Sequence, residues 1–184
     1  MSYNGVEIIA EVKTQSPFGF KSEKTWDELF HLAERVGDTL SIHTDPRWGG
    51  SFELVKKARG RTQKPILAKG IHTSDDDIQR ALDAGADFVL VVGRIPQEYP
   101  EKCIIEPYTL AELKKIPEEL KALWNARDLS TGKVKAETFS TARQVFKGWL
   151  CQASFLKSVD DILPGAHAVL VGEHVLEFAQ SAGL

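Results

Sequence analysis

Mostly polar and charged residues stand at the ends of several short apolar runs, where they could transfer protons or hold an anion. They are Glu11, Lys13, His43, Lys69, Glu106, Asn125, Arg127, Gln152, Gly172 and Glu173. Crowding depresses the pKa of a lysine and desolvation raises that of a glutamate, so both can exchange protons near neutral pH without a metal. Lys13 or Arg127 could instead hold a phosphate or a carboxylate. In the plainer interpretation, each charge only marks the point where a buried strand reaches solvent.

The apolar runs that precede these residues have the length and composition of buried strands. They span residues 6–12, 40–43, 65–69, 88–92, 103–106, 122–125, 149–152 and 167–171 and are rich in Val, Ile and Leu. Continuous runs of this kind are typical of strands buried on both faces of a parallel sheet. Side chains alternate along a strand, so Glu11 shares a face with Lys13. Asn125 likewise shares a face with Arg127.

Amphipathic helical patterns separate most of the predicted strands. Four begin after residues suited to cap a helix, namely Thr25, Ser51, Ser74 and Thr109, and three more cover residues 139–146, 159–163 and 176–182. Residues 93–102 contain two prolines and no helical period, so we expect the fourth connection to be a loop. Pro117 is expected to end or kink the helix that follows Thr109.

The alternation of strands and helices predicts parallel pairing with right-handed crossovers. Eight such units favour a closed (β/α)₈ TIM barrel of minimal length, with functional residues at the carboxyl ends of the strands. The 184 residues are fewer than the roughly 200 that such barrels usually need, so an open doubly wound sheet is the alternative. No linker or low-complexity tract interrupts the alternation, and we predict a single domain over residues 1–184.

The overall composition argues against several classes of protein. The formal net charge of −3 provides no basic excess for binding nucleic acid. The first residues lack the features of a signal peptide and the apolar runs are too short to cross a bilayer, so we expect a cytoplasmic protein without membrane contact. Five histidines without paired spacing predict that there is no metal site. Cys103 and Cys151 lie in apolar runs and are expected to be buried thiols rather than a disulfide.

Seven segments resemble the indole-3-glycerol phosphate synthase family, in order and over nearly the whole chain. They read IIAEVKTQSPFG, SIHTDPRWGGS, PILAKGI, ALDAGADFVLVV, CIIEPY, WNARDLSTGKV and AVLVGEHVLE. The combination of Glu-x-Lys-x-x-Ser-Pro with Asn-x-Arg-Asp-Leu is the most specific part of the match. Besides the barrel fold, the resemblance implies a carboxy-lyase of tryptophan biosynthesis. Its phosphorylated substrate, an anthranilate-derived deoxyribulose phosphate, closes to an indole with loss of carbon dioxide and water and without a cofactor.

The resemblance also implies roles for individual residues. Lys69 would be the general acid that protonates the substrate's carbonyl during ring closure, and Glu106 would be the partner base. Lys13 would hold the substrate's carboxylate or assist the dehydration. The other site residues are expected to orient these groups or to contact the substrate and its phosphate; they are Glu11, Ser16, Asn125, Arg127, Gln152, Gly172 and Glu173.

Several departures from the family pattern bear on this activity. Residues 151–155 read Cys-Gln-Ala-Ser-Phe where the family has Ser-Glu-Ser-Gly-Ile, so Gln152 replaces a glutamate and Ser154 replaces a glycine. Gly70 and Ile71 stand where an Asp-Phe pair is expected. The helical extension that precedes the first strand in the family, and that helps to cover the active site, is expected to be missing.

Two other functions therefore stay open. One is a catalytically silent barrel that acts as a binding or scaffold protein, and the other is a related barrel enzyme acting on another phosphorylated sugar. A homodimer or a pathway partner could supply the missing cover. His43 stands where the family has an apolar residue and is interpreted as structural, and Trp48 as either a pocket wall or a cap of the barrel.

Overall fold

The chain forms a closed barrel of eight parallel strands in a computed structural model that describes residues 3–183. The strands are β1 (Glu7–Val12), β2 (Thr39–His43), β3 (Ile66–Lys69), β4 (Phe88–Val92), β5 (Cys103–Glu106), β6 (Lys121–Asn125), β7 (Leu150–Ala153) and β8 (Ala168–Val171). Each strand pairs in parallel with the next, and β8 pairs with β1 to close the sheet. The predicted (β/α)₈ barrel is confirmed, and the open doubly wound sheet is wrong.

Six α-helices lie around the described part of this barrel. They are α1 (Trp26–Val36), α2 (Phe52–Arg59), α3 (Asp75–Asp83), α4 (Leu110–Leu113), α5 (Phe139–Val145) and α6 (Val175–Ser181). The predicted caps Thr25, Ser51, Ser74 and Thr109 each accept a backbone N–H from the first turn of α1 to α4. A cap of this kind stabilises a helix by about 1 kcal/mol, so the local sequence fixes where these helices begin.

Two connections contain a short 3₁₀ turn instead of an α-helix. Between β4 and β5 the turn covers Pro100–Lys102, in agreement with the loop that the two prolines predict. The helix predicted over residues 159–163 is wrong, because only a 3₁₀ turn forms at Val159–Asp161. Ile162 already has extended backbone angles, and Pro164 disfavours helical geometry in the residue before it.

The core of the molecule has two apolar layers. Side chains that point into the barrel form the inner layer, which contains Ile9, Leu67, Leu90, Val92, Ile104, Leu123, Cys151, Ala153, Ala168 and Leu170. Residues on the opposite face of the strands pack against the helices and form the outer layer. Cys103 and Cys151 are buried, free thiols, as the sequence predicted. Within residues 3–183 no helix is both long and apolar enough to span a membrane.

Candidate active site

Four polar side chains lie at the carboxyl ends of β1, β3, β5 and β6, directly above the apolar interior of the barrel. They are Glu11, Lys69, Glu106 and Asn125. Each comes two residues after a side chain of the inner layer, namely Ile9, Leu67, Ile104 and Leu123. Because side chains alternate along a strand, this spacing keeps all four on the inward face. The strands therefore converge these groups on one mouth of the barrel, as the sequence predicted.

Glu11 is a buried carboxylate surrounded by two lysines and a histidine. Its Oε1 accepts hydrogen bonds from Lys69 Nζ at 2.5 Å and from His43 Nε2 at 2.9 Å. Lys13 Nζ lies 3.7 Å from the other oxygen. Burial alone would raise the pKa of Glu11, but the charges of Lys69 and Lys13 and the hydrogen bond from His43 outweigh it and hold that pKa well below its usual range. The raised pKa expected for a desolvated glutamate is therefore wrong at this position.

His43 belongs to the same cluster. Its ring stacks on Trp48 with the centroids 5.9 Å apart, and both residues line the mouth. Burial lowers the pKa of His43, and the opposing charge of Glu11 does not restore it, so the imidazole is neutral near pH 7. Nε2 must then carry the proton donated to Glu11. Nδ1 is buried without a hydrogen-bond partner among the described residues.

Glu106 is also buried, but its surroundings contain less positive charge. Asn125 Nδ2 donates a hydrogen bond to Glu106 Oε1 at 2.8 Å. Burial raises the pKa of Glu106, and the charge of Lys69 and the hydrogen bond from Asn125 oppose that rise without cancelling it. A carboxyl group with a raised pKa can give or take a proton near neutral pH. This agrees with the sequence-based expectation for a desolvated glutamate.

Ser154 fixes the orientation of Asn125. Its hydroxyl donates to Asn125 Oδ1 at 2.6 Å, and the backbone N–H of Arg127 donates to the same oxygen at 2.9 Å. With Oδ1 accepting twice, the amide nitrogen faces Glu106. Ser154 has a φ of +73°, in the left-handed region that favours glycine, the residue that the family pattern has at this position.

Glu173 joins two cations across the other side of the mouth. Its Oε1 accepts a hydrogen bond from Lys13 Nζ at 2.9 Å and its Oε2 accepts one from Arg127 Nη2 at 3.0 Å. The guanidinium of Arg127 also lies over the ring of Phe155, 4.6 Å from its centroid. Gly172 lies next to this bridge, and a Cβ at that position would collide with the carboxylate of Glu11.

The mouth opens into a cleft at the carboxyl end of the barrel. Its polar lining includes Lys13, His43, Lys69, Glu106, Asn125, Arg127 and Ser154. An adjoining cleft contacts Glu11, Gly172 and Glu173. Across residues 3–183, no three His, Cys, Asp or Glu side chains are grouped so that they could hold a metal ion.

Two residues expected at the site lie elsewhere. Gln152 points away from the barrel interior, because its amide donates to the carbonyl of Asp161 at 2.9 Å and accepts from the N–H of Leu163 at 2.9 Å. Its contact with substrate, predicted from the sequence, is therefore corrected to a bond between β7 and the turn that follows it. Ser16 sits in the loop after β1, where its hydroxyl accepts from Phe18 N at 3.3 Å, and it does not line either cleft.

Several residues of the site were not predicted as functional. Phe18, Ile71, Val92 and Leu129 form apolar walls of the cleft, and Trp48 proves to be a wall as well. Lys135 lies with its Nζ 4.5 Å from the ring centroid of Trp124. Burial lowers the pKa of Lys135, and the charge of Glu106 opposes that shift. In the sequence, Lys135 looks like any solvated lysine of a loop, so no signal marked it.

Residues 2–182 match the family described as indole-3-glycerol phosphate synthase. The indole-3-glycerol phosphate synthase of Thermococcus kodakarensis is 37% identical over 100 residues, which cover 51% of this chain and 44% of that protein. The one from Pyrococcus abyssi is 30% identical over 122 residues, which cover 58% and 53%. The chain thus spans about half the length of these curated relatives.

The fold is also similar to that of a solved structure. The crystal structure of 3-hexulose-6-phosphate synthase aligns with a TM-score of 0.68 and covers 97% of this chain and 95% of that one. The sequence identity is 14%, so the likeness concerns the barrel fold alone.

Proposed function

The chain belongs to the indole-3-glycerol phosphate synthase family, and from that premise we propose that it is a carboxy-lyase that closes an anthranilate-derived deoxyribulose phosphate into an indole. The observation that carries the proposal is the pair Lys69 and Glu106, which line one cleft at the carboxyl end of the barrel. Both lie in segments that carry the family's motifs. The reaction belongs to tryptophan biosynthesis, and it proceeds without a cofactor.

In the proposed first step, the aromatic carbon that bears the substrate's carboxylate attacks the ketone carbon of the sugar chain. Lys69 gives a proton to the carbonyl oxygen, so that the developing alkoxide becomes a hydroxyl group. The carboxylate then leaves as carbon dioxide, and its bonding electrons restore the aromatic ring. A lysine can serve as this acid because Glu11, 2.5 Å from Nζ, keeps the ammonium group in place.

In the proposed second step, the new hydroxyl leaves as water. It needs a proton from an acid, for which Lys13 is the candidate, and a base must take a proton from the neighbouring ring carbon. Glu106 is suited to this role because burial raises its pKa and so makes the carboxylate a stronger base. Asn125, held by Ser154, orients the Glu106 carboxyl for the transfer.

The test is turnover of the purified protein with the anthranilate-derived deoxyribulose phosphate, followed by the fluorescence of the indole product. We expect turnover in the native chain and a loss of about 10²–10⁴-fold in Lys69→Ala, the range for removal of a general acid. Lys147→Ala is the matched control. Lys147 is exposed and precedes β7, at the opposite end of the barrel, so its removal should leave turnover unchanged.

The outcomes separate the proposal from its alternatives. Turnover that persists in Lys69→Ala refutes the role of Lys69 as the acid. A folded native chain that forms no indole product refutes the proposed activity and favours the catalytically silent barrel. The circular dichroism spectrum of each variant shows whether a loss of turnover comes from the chemistry or from the fold.

A further inference from the structure

The carboxylate of Glu173 uses both of its oxygens on cations from different loops. Lys13 Nζ donates to Oε1 at 2.9 Å and Arg127 Nη2 donates to Oε2 at 3.0 Å. The three side chains are 17%, 9% and 15% exposed for Glu173, Lys13 and Arg127. Charge-assisted hydrogen bonds at this depth are stronger than those of a solvated surface pair.

Both cations already have other partners in the protein. Lys13 lies between two carboxylates, because Glu11 Oε2 is 3.7 Å from the same ammonium group. Arg127 uses Nη1 for the carbonyl of Gly132 at 3.3 Å. The missing side chain of Gly172 lets Glu11 approach the backbone just before Glu173, so both carboxylates flank Lys13. Glu11 and Glu173 thus already offset part of the positive charge that faces this cleft.

An anion that enters here must displace Glu173 or bind beside it. Like charges at contact distance repel in a partly buried site, and the repulsion grows with the charge of the ligand. A phosphate dianion is therefore disfavoured more than a carboxylate with one negative charge. Arg127 could donate two parallel hydrogen bonds to either anion once Glu173 no longer accepts the bond from Nη2.

We propose that Glu173 is a specificity-determining residue, whose carboxylate competes with the phosphate of a ligand for Lys13 and Arg127. The inference rests on the proposed function only in taking this mouth as the place where a phosphorylated substrate binds. Its consequence is that the native chain binds phosphate weakly and that the loss of one negative charge at Glu173 strengthens the binding.

The test measures the Kd of inorganic phosphate by isothermal titration calorimetry at low salt for the native chain and Glu173→Gln. We expect the Kd to fall about tenfold or more in Glu173→Gln, which keeps the shape of the side chain and removes its charge. The Kd of benzoate, a ligand with one negative charge, should fall less than that of phosphate. Glu177→Gln is the matched control, because Glu177 is 57% exposed and touches neither Lys13 nor Arg127. It should change the Kd less than about twofold.

An unchanged or higher Kd in Glu173→Gln overturns the proposal, and so does the absence of phosphate binding to both proteins. Glu173→Ala, checked by circular dichroism, provides the same comparison if the glutamine variant does not fold. Phosphate binding needs no turnover. A native chain that forms no indole product but whose Glu173→Gln variant binds phosphate more tightly would refute the proposed function and leave this inference standing. A native chain that forms the indole product, together with an unchanged Kd of phosphate in Glu173→Gln, would support the proposed function and overturn this inference.

Discussion

Glu11 and Glu106 are buried equally deeply at the same end of the barrel, yet their surroundings differ. Glu11, on β1, meets Lys69 at 2.5 Å and His43 at 2.9 Å, and its pKa lies well below the usual range despite burial. Glu106, on β5, receives one neutral hydrogen bond, from Asn125, and burial keeps its pKa raised. The same side chain at the same depth is therefore a fixed anion on one strand and a titratable group on the other.

The different surroundings of Glu11 and Glu106 show how one mouth of the barrel can separate its acid and base groups. Two titratable groups whose pKa values are pushed apart by their environments can take different roles at one pH. Glu11 is suited to hold the side chain of Lys69 in position, whereas Glu106 is suited to exchange protons. The contrast arises from the number of cations within reach of each carboxylate and not from the depth of burial.

The largest effect that we expect is the contrast in stability between Glu11→Gln and Glu106→Gln. Glu11→Gln removes the anion from a buried cluster and leaves Lys69 and Lys13 without their shared partner, so it should cost about 3 kcal/mol or more of the free energy of unfolding. Glu106→Gln replaces a carboxyl group that burial already disfavours as an anion, so the change should stay within about 1 kcal/mol. Urea unfolding at neutral pH measures both, and equal losses would break the comparison.

A second prediction concerns the pH dependence of the same two variants. The lowered pKa of Glu11 means that its stabilising contribution is present above the pKa of the unfolded chain and is lost as the pH falls. The raised pKa of Glu106 means that its contribution is present below the unfolded pKa and is lost as the pH rises through the folded pKa.

The advantage of the native chain over Glu11→Gln should therefore shrink on acidification, whereas Glu106→Gln should gain on the native chain as the pH rises. Urea midpoints of the three proteins between about pH 2.5 and about pH 8 check both trends, because the contribution of Glu11 is lost below the unfolded pKa of about 4.3. If the urea midpoints of Glu11→Gln and Glu106→Gln change in parallel with pH, the pKa values of the two carboxylates are not shifted in opposite directions.

The smallest effect concerns Ser154, which links the environment of Glu106 to the loop after β7. Ser154→Ala and Ser154→Gly both remove the 2.6 Å hydrogen bond to Asn125, so we expect both to lower indole formation several-fold. Only glycine relieves the left-handed backbone at φ +73°, and Ser154→Gly should therefore be more stable than Ser154→Ala by about 1 kcal/mol.

Turnover assays of the two Ser154 variants measure the effect on indole formation, and urea unfolding measures the difference in stability. Native turnover in both variants would show that the hydroxyl does not orient Asn125 for the reaction. Equal stabilities would show that the loop relaxes when the serine is replaced.

Much of the fold and part of the candidate site follow from the sequence. Apolar runs of strand length, separated by capped helical patterns, are sufficient to predict the barrel, because each unit needs a parallel neighbour on both sides. The alternation of side chains likewise places Glu11 on one face with Lys13, and Asn125 on one face with Arg127. Local patterns of this kind depend only on neighbouring residues, and so they can be read along the chain.

The orientation of Gln152 could not be predicted from such local patterns. The apolar run predicts a strand over residues 149–152, whereas β7 covers Leu150–Ala153, with Cys151 and Ala153 facing inward. Since successive side chains point to opposite faces, this parity directs Gln152 outward. The apolar composition of a strand buried on both faces does not reveal which residues face inward.

The low pKa of Glu11 shows a second limit. It depends on a histidine from β2 and a lysine from β3 that meet one oxygen of a residue on β1. The register Glu11 to Ser41 and His43 to Lys69 brings them together only once β1, β2 and β3 have paired. No local pattern states how many cations a given carboxylate will meet.

The pairing of β1 with β8 has a consequence for the way this protein is made. Glu7 and Ala168 are partners in the ladder, so one edge of β1 stays unpaired until the segment that forms β8 has been synthesised. A nascent chain that lacks β8 exposes the open edges of β1 and β7, which are templates for pairing with other chains. Contacts between residues so distant in sequence also slow folding. The barrel is therefore most exposed to pairing with other chains in the interval before β8 joins β1 and β7.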